Sequence, residues 1–127
     1  MTKILVADDN DDLRDLITLF LVRAGYDVTA VPDGMAAWTE IQARRYDLVV
    51  LDNTMPRMTG IEVLVACRDA QMADRPPVIM LSALRSRHDV EAGLDAGADA
   101  YMTKPFTCAG LIGQIDTLLG RGTATAM

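Results

Sequence analysis

The chain has 127 residues, half of them hydrophobic, which suits one compact domain that needs no disulfides or metal ions to fold. Its net charge is −6, from 12 Lys and Arg residues against 18 Asp and Glu residues. This balance argues against a nucleic-acid-binding domain, which would carry a basic patch.

Apolar runs and helical patterns alternate along the chain. The apolar runs predict five β-strands, at residues 3–7, 27–31, 47–51, 77–81 and 99–103. The spacing of apolar residues predicts a helix after each strand, at residues 13–21, 33–45, 60–70, 85–98 and 111–119. The first, third and fourth strands are continuously apolar, as expected at the centre of a parallel sheet covered on both faces. The order therefore predicts a doubly wound α/β sandwich.

Polar residues follow four of the predicted strands. Asp8 and Asp9 follow the first strand, and Asp52 follows the third. Ser82 follows the fourth strand, and Lys104 follows the fifth. Because ligands bind at the carboxyl ends of the strands in an open parallel sheet, we expect these side chains to meet at one edge.

This set of side chains suits phosphoryl chemistry that depends on Mg²⁺. Carboxylates are oxygen ligands for Mg²⁺, and the metal would offset their mutual repulsion. A carboxylate can also attack phosphorus and become an aspartyl phosphate. The charge that develops on the phosphoryl oxygens then needs stabilisation by a cation and a hydroxyl, the groups of Lys104 and Ser82.

Four motifs stand at the ends of these strands: DD at 8–9, LDNTMPRMTG at 51–60, SA at 82–83 and AYMTKPF at 100–106. Together they resemble the receiver domain of two-component response regulators. The resemblance implies a flavodoxin-like (βα)₅ fold, with strands in the order 2-1-3-4-5. It places a receiver domain at residues 1–120, and the small polar residues 121–127 indicate a flexible tail or the start of a linker.

The resemblance also implies roles for the acidic residues. Asp52 would be the phosphoacceptor. Asp9 would be a direct Mg²⁺ ligand, and Asp8 would help directly or through water. Asp52 and the backbone carbonyl of Thr54 would complete the protein ligands.

The remaining motif residues would bind and sense the phosphoryl group. Lys104 would pair with it, and the backbone N–H of Ala83 would donate to it, with Thr54 also in the binding set. Ser82 would move toward the phosphoryl group, and Tyr101 would rotate into the space released. Pro105 stands where receivers carry a cis peptide bond.

The implied function is a phosphorylation-activated signalling switch. A sensor histidine kinase or a phosphotransfer protein would supply the phosphoryl group, and catalysis by the chain would be limited to its own phosphorylation and dephosphorylation, with Asp52, Lys104 and Ser82 as catalytic residues. The added negative charge would change partner binding or self-association on the face of residues 85–119. We expect this chain itself not to bind nucleic acid.

The acidic run DDNDD has two simpler interpretations. Negative charge at a helix N-terminus is favourable, which fits Asp11 and Asp12, with Asn10 or Asp11 as the N-cap. An EF-hand begins with the same alternation, but it needs Gly at its sixth position and Glu at its twelfth. This chain has Leu13 and Leu19 there, so the EF-hand interpretation fails.

Two rival functions use the same fold. A receiver-like binding module would never accept a phosphoryl group. A Mg²⁺-dependent phosphatase would use Asp52 as nucleophile, but it would need a separate acid–base residue and a substrate cap, and neither is apparent. We expect His88, the only histidine, to be a solvated side chain, so the chain would receive phosphoryl groups and not supply them.

Two further features bear on location. Cys67 and Cys108 lie far apart and outside any CxxC pattern, so we expect reduced thiols. No apolar run approaches the ~20 residues of a membrane span, and the first residues lack the apolar core of a signal peptide. We therefore expect a cytoplasmic protein that does not contact a membrane.

Overall fold

The computed structural model describes residues 1–120, in which five strands alternate with five helices. The strands are β1 (Lys3–Ala7), β2 (Asp27–Val31), β3 (Leu48–Leu51), β4 (Val78–Ser82) and β5 (Ala100–Thr103). The helices are α1 (Asp11–Arg23), α2 (Gly34–Ala43), α3 (Gly60–Asp69), α4 (Arg87–Asp95) and α5 (Cys108–Leu118). All ten predicted elements are confirmed. The predicted tail at 121–127 lies outside the described residues.

The strands form one parallel sheet in the order β2-β1-β3-β4-β5. This order confirms the flavodoxin-like (βα)₅ fold. The continuously apolar strands β1, β3 and β4 occupy the centre, and their residues are buried except for Lys3. The less apolar β2 and β5 lie at the two edges, where burial is incomplete.

Two hydrophobic clusters cover the two faces of the sheet. Alternate strand residues point to opposite faces, so Val6 of β1 joins a cluster with Ile115 of α5 and with residues of α1. Its neighbour Leu5 joins the other cluster, with Val63 of α3 and residues of α2. Both faces of the sheet are thus covered, which leaves the ends of its strands as the place for a ligand.

Helix α4 is shorter than predicted, spanning Arg87–Asp95 instead of residues 85–98. The side-chain oxygen of Ser86 accepts a hydrogen bond from the backbone N–H of Asp89 and so begins the helix. Gly97 has a φ of 120°, a conformation that favours glycine and ends the helix. The predicted helix therefore extended too far at both ends.

The N-cap of α1 divides the acidic run DDNDD. The Asn10 side-chain oxygen accepts a hydrogen bond of 3.0 Å from the backbone N–H of Leu13. Asp11 and Asp12 lie in the first turn, where negative charge interacts favourably with the helix dipole. Of the two cap candidates, Asn10 is the one observed.

This cap predicts a measurable stability effect at residue 10. Asn10→Ala leaves the Leu13 N–H without its side-chain partner and is expected to lower the free energy of unfolding by about 1 kcal/mol. Asn10→Ser, which retains a capping oxygen, is the matched control and is expected to stay close to wild type. Urea denaturation of the three proteins measures the difference, and equal losses in both variants would contradict the assignment.

Candidate functional site

The polar residues predicted at the strand ends meet at one edge of the sheet. Asp8 directly follows β1, and Asp52 directly follows β3. Hydrogen bonds to neighbouring strands fix the main chain here. The Asp52 N–H donates to the Ala7 carbonyl over 3.0 Å, and the Lys104 N–H donates to the Ser82 carbonyl over 2.9 Å. Ser82 is the last residue of β4, one residue beyond the predicted strand end.

Lys104 links two buried carboxylates. Its Nζ lies 3.0 Å from Oδ2 of Asp8 and 3.3 Å from Oδ2 of Asp52. Asp8 is only 2% exposed and Asp52 only 4% exposed, so water screens these charges weakly. Because removing charges from water is unfavourable, this cluster is held together by the surrounding fold as well as by its own attractions.

Burial and neighbouring charges shift the ionisation of both partners. Burial raises the pKa of Asp52, and the charge of Asp8 raises it further, while Lys104 lowers it without cancelling the increase. Burial lowers the pKa of Lys104, but the hydrogen bond to Asp8 and the charge of Asp52 outweigh that effect and raise it overall. Lys104 therefore remains an ammonium group, and the negative charge on Asp52 is costly.

Three carboxylates at this edge form a group that fits a metal ion. One oxygen from each of Asp8, Asp9 and Asp52 lies within 4.8 Å of the others. Asp9 is exposed, so the group opens to solvent and leaves access for water ligands. Hard oxygen donors with room for several waters match the preferences of Mg²⁺.

Thr54 and Ala83 border this group. The backbone N–H of Thr54 donates to Oδ1 of Asp52 over 3.3 Å, whereas Lys104 donates to the other carboxylate oxygen, Oδ2. Thr54 and Ala83, which follow the ends of β3 and β4 in the chain, are both exposed residues. The peptide bond between Lys104 and Pro105 is cis, as the family resemblance implies.

Ser82 and Tyr101 both bind Leu84, in the loop after β4. The fully buried Ser82 accepts a hydrogen bond from the Leu84 N–H through Oγ, over 3.1 Å. The Tyr101 hydroxyl donates to the Leu84 carbonyl. The Tyr101 ring lies against Gly93 of α4, where an added Cβ would be 2.9 Å from the ring. These two side chains are thus connected through one loop residue.

Two residues that support the site were not predicted. The guanidinium of Arg14 donates to the Asp8 carbonyl over 2.8 Å and to Oδ1 of Asp11 over 2.6 Å, which fixes α1 against the end of β1. The side-chain oxygen of Asn53 accepts from the Ile61 N–H over 3.0 Å and so ties the loop after β3 to α3. The i, i+3 spacing of Asp11 and Arg14 signals their ion pair, whereas no sequence pattern marks Asn53.

Three side chains, His88, Cys67 and Cys108, were expected to take no part in the site. His88 is exposed on α4, in agreement with a solvated side chain. Cys67 and Cys108 are both free thiols. Among residues 1–120, the structure contains no helix whose length and hydrophobicity would let it cross a membrane.

A comparison with protein-family models matches residues 4–116 to the response regulator receiver domain. The chain is 41% identical over 120 residues to the transcriptional regulatory protein CseB of Streptomyces coelicolor, covering 94% of this chain and 50% of CseB. It is 38% identical over 122 residues to the sensory transduction protein RegX3 of Mycobacterium tuberculosis, covering 96% of this chain and 52% of RegX3. The chain therefore spans about half the length of the curated relatives it matches.

Solved structures of receiver domains are also similar to this chain. The receiver domain of the Francisella response regulator 1452 superposes with a TM-score of 0.89 and 37% identity, covering 94% of this chain and 98% of that one. The receiver domain of the sensor histidine kinase PA1611 from Pseudomonas aeruginosa, with a magnesium ion coordinated in its active-site cleft, superposes with a TM-score of 0.86 and 32% identity. That match covers 94% of this chain and 98% of the PA1611 chain.

The raised pKa of Asp52 predicts that this residue opposes folding. The folded state binds a proton at Asp52 more readily than the unfolded state does. Protonated Asp52 therefore favours the folded state at low pH. This contribution to stability is lost as the pH rises past the pKa of Asp52 in the unfolded chain and through its higher pKa in the folded chain. Asp52→Asn, which is neutral at every pH, is expected to raise the melting temperature in Mg²⁺-free buffer at neutral pH.

This stabilisation is expected to shrink as the pH falls, because wild-type Asp52 then becomes protonated in the folded state. Thermal melts at several pH values measure both effects. Asp12→Asn, at an exposed position of α1, is the matched control and is expected to change the melting temperature little. A melting temperature of Asp52→Asn at or below that of wild type at neutral pH would contradict the prediction.

Proposed function

The chain belongs to the response regulator receiver domain family of two-component systems, and we propose that it accepts a phosphoryl group on Asp52 in a Mg²⁺-dependent reaction. The observation that carries this proposal is the acidic group of Asp8, Asp9 and Asp52, whose oxygens approach within 4.8 Å. The ammonium of Lys104 lies beside two of these carboxylates.

In the proposed reaction, a carboxylate oxygen of Asp52 attacks the phosphorus atom of the donor. A new P–O bond forms, and the bond from phosphorus to the donor breaks, its electron pair leaving with the donor. The leaving atom is a histidine nitrogen of a sensor kinase or phosphotransfer protein, or the bridging oxygen of a small donor such as acetyl phosphate. The product is an aspartyl phosphate.

The side chains around Asp52 stabilise the charge that develops. Asp8, Asp9, Asp52 and the Thr54 carbonyl would hold Mg²⁺, which when bound neutralises charge on the phosphoryl oxygens. Lys104, already hydrogen-bonded to Oδ2 of Asp52, would turn its ammonium to the transferred group. The backbone N–H of Ala83 would donate to the same group.

The proposed output depends on Ser82 and Tyr101. Phosphorylation adds about −1.5 to −2 charge at Asp52. Ser82 would leave the Leu84 N–H and its hydroxyl would donate a hydrogen bond to a phosphoryl oxygen. Tyr101, which holds the carbonyl of the same Leu84, would then rotate inward and alter the face of residues 85–119. The family resemblance supports these movements, and the shared contact with Leu84 gives them a physical connection.

We assign residues 1–120 to the receiver domain, and a histidine kinase or phosphotransfer protein to the role of donor. The relative CseB is a transcriptional regulatory protein, and MtrA of Mycolicibacterium smegmatis, 38% identical over 119 residues, is a DNA-binding response regulator. This chain spans about half of each relative and carries a net charge of −6, so we propose that it does not itself contact nucleic acid. Its output would be a changed protein–protein contact.

One experiment separates the receiver from its two rivals. The protein and Asp52→Ala are incubated with Mg²⁺ and acetyl phosphate, with and without EDTA, and intact masses are measured. We expect one phosphoryl group on wild type only, and none when EDTA removes the metal. No adduct on wild type would favour a binding module, and rapid turnover of diverse phosphate esters would favour a phosphatase.

The division of the acidic run predicts different results for two nearby aspartates. Asp9→Ala removes a proposed metal ligand and is expected to weaken Mg²⁺ binding and slow phosphorylation by about tenfold or more. Asp12→Ala removes a favourable charge from the first turn of α1, so it is expected to cost a few tenths of a kcal/mol and leave phosphorylation nearly unchanged. Equal loss of phosphorylation in both variants would contradict this division.

A further inference from the structure

The N-terminal turn of α2 touches the loop that follows β3 with no space between them. This loop, residues 53–59, carries Thr54 and leads into α3. A Cβ added to Gly34, the first residue of α2, would lie 1.9 Å from the backbone oxygen of Met58 and 2.6 Å from its carbonyl carbon. Both of these atoms belong to the backbone, so no side-chain rotation relieves the overlap. Only glycine fits at this position.

Asp33, the N-cap of α2, makes a second contact with the same loop. Its Oδ1 accepts a hydrogen bond of 2.8 Å from the Ala36 N–H and so caps the helix. Its Oδ2 lies 3.2 Å from Nε of Arg57. Arg57 has a φ of 72°, in the left-handed region that non-glycine residues rarely adopt. The loop residue that pairs with Asp33 therefore has an unfavourable backbone conformation.

The other end of the loop is fixed close to Asp52. The Gly60 N–H donates to the Asn53 carbonyl over 3.0 Å, and the Ile61 N–H donates to the Asn53 side chain. Between these fixed ends, the Thr54 N–H donates to Oδ1 of Asp52. The loop of seven residues is therefore bonded to α3 at its first residue and to Asp52 at Thr54, so a displacement imposed at Met58 is passed along its backbone toward Thr54.

We propose that Asp33 and Gly34 form a positioning element, which holds the loop 53–59 so that Thr54 and Asp52 keep their geometry for the metal and the phosphoryl group. This inference rests on the proposed function. The contacts of Asp33 and Gly34 with the loop fall on Arg57 and Met58, so these two residues act on the site through the loop. α2 cannot simply retreat from an added Cβ, because its Ala37 and Ile41 are buried in the core. The displacement is therefore taken up by the loop.

The test compares Gly34→Ala with Gly113→Ala. Gly113 lies in α5, and a Cβ added there meets nothing within 4 Å, so this variant controls for the glycine-to-alanine change itself. Calorimetric titration with Mg²⁺ and intact-mass kinetics with acetyl phosphate are done well below the melting temperature of each protein. Gly34→Ala is expected to weaken Mg²⁺ binding by about tenfold and to slow phosphorylation by up to about a hundredfold, whereas Gly113→Ala matches wild type.

A metal-free measurement tests the positioning directly. The backbone amide NMR signals of Thr54 and of the other non-proline residues of the loop 53–59 are expected to shift in Gly34→Ala and to stay in place in Gly113→Ala. A folded Gly34→Ala variant with wild-type amide signals and wild-type Mg²⁺ affinity would overturn the inference while leaving the proposed function intact. A wild-type protein that neither binds Mg²⁺ nor becomes phosphorylated would overturn both.

Asp33→Ser decides the question if Gly34→Ala does not fold. Serine also caps helices, so the variant retains α2 while removing the ion pair to Arg57. The expected result is Mg²⁺ binding weakened by about threefold, the size expected when a partly exposed ion pair is lost, with shifted amide signals at Thr54. Unchanged affinity and unchanged amide signals in Asp33→Ser would overturn the inference.

Discussion

The close approach of buried carboxylates at one edge of the sheet is the constraint on which the rest of the site depends. Asp8, Asp9 and Asp52 bring three negative charges together, and Lys104 contributes one positive charge. The two unbalanced negative charges equal the charge of one divalent cation. Because Asp8 and Asp52 are almost completely buried, water does little to reduce the imbalance. The raised pKa of Asp52, caused first by burial, shows that Lys104 alone does not remove the cost.

The hydrophobic core makes this unfavourable arrangement sustainable. Each fully buried Ile, Leu or Val side chain contributes about 1.5–3 kcal/mol to stability, and most residues of the central strands β1, β3 and β4 are of these three types. These strands carry Asp8, Asp52 and Ser82 at their ends. The carboxylates therefore cannot separate without disturbing the best-packed part of the domain. The electrostatic cost at the sheet edge is offset by the burial of apolar strands in the sheet centre.

Local patterns were sufficient to predict the strands, the helices and the residues at the sheet edge, whereas the strand order came from the family resemblance. Apolar runs identify the strands, and four of the five runs are followed by a polar residue that the parallel sheet then brings to the same edge. The contact between Gly34 and Met58 was not predicted, since it joins the start of α2 to a loop that is distant in the chain. Asn53 gave no signal, because a single amide in a loop has no periodicity. The ends of α4 were misplaced because its polar sequence has weak helical periodicity, whereas Ser86 and Gly97 set the actual limits.

Burial also decides which part of the domain can respond to a change of charge at Asp52. All five residues of β4 are buried, whereas β5 is only partly buried along its length, and Gly93 is the only buried residue of α4. Moving β4 would disrupt both hydrophobic clusters, while moving α4 and the Tyr101 ring disturbs few buried contacts. A continuous chain of contacts runs from Ser82 through Leu84 to Tyr101 and then to Gly93. A charge change at Asp52, beside the well-packed central strands, would therefore be expressed around β5 and α4, where fewer residues are buried.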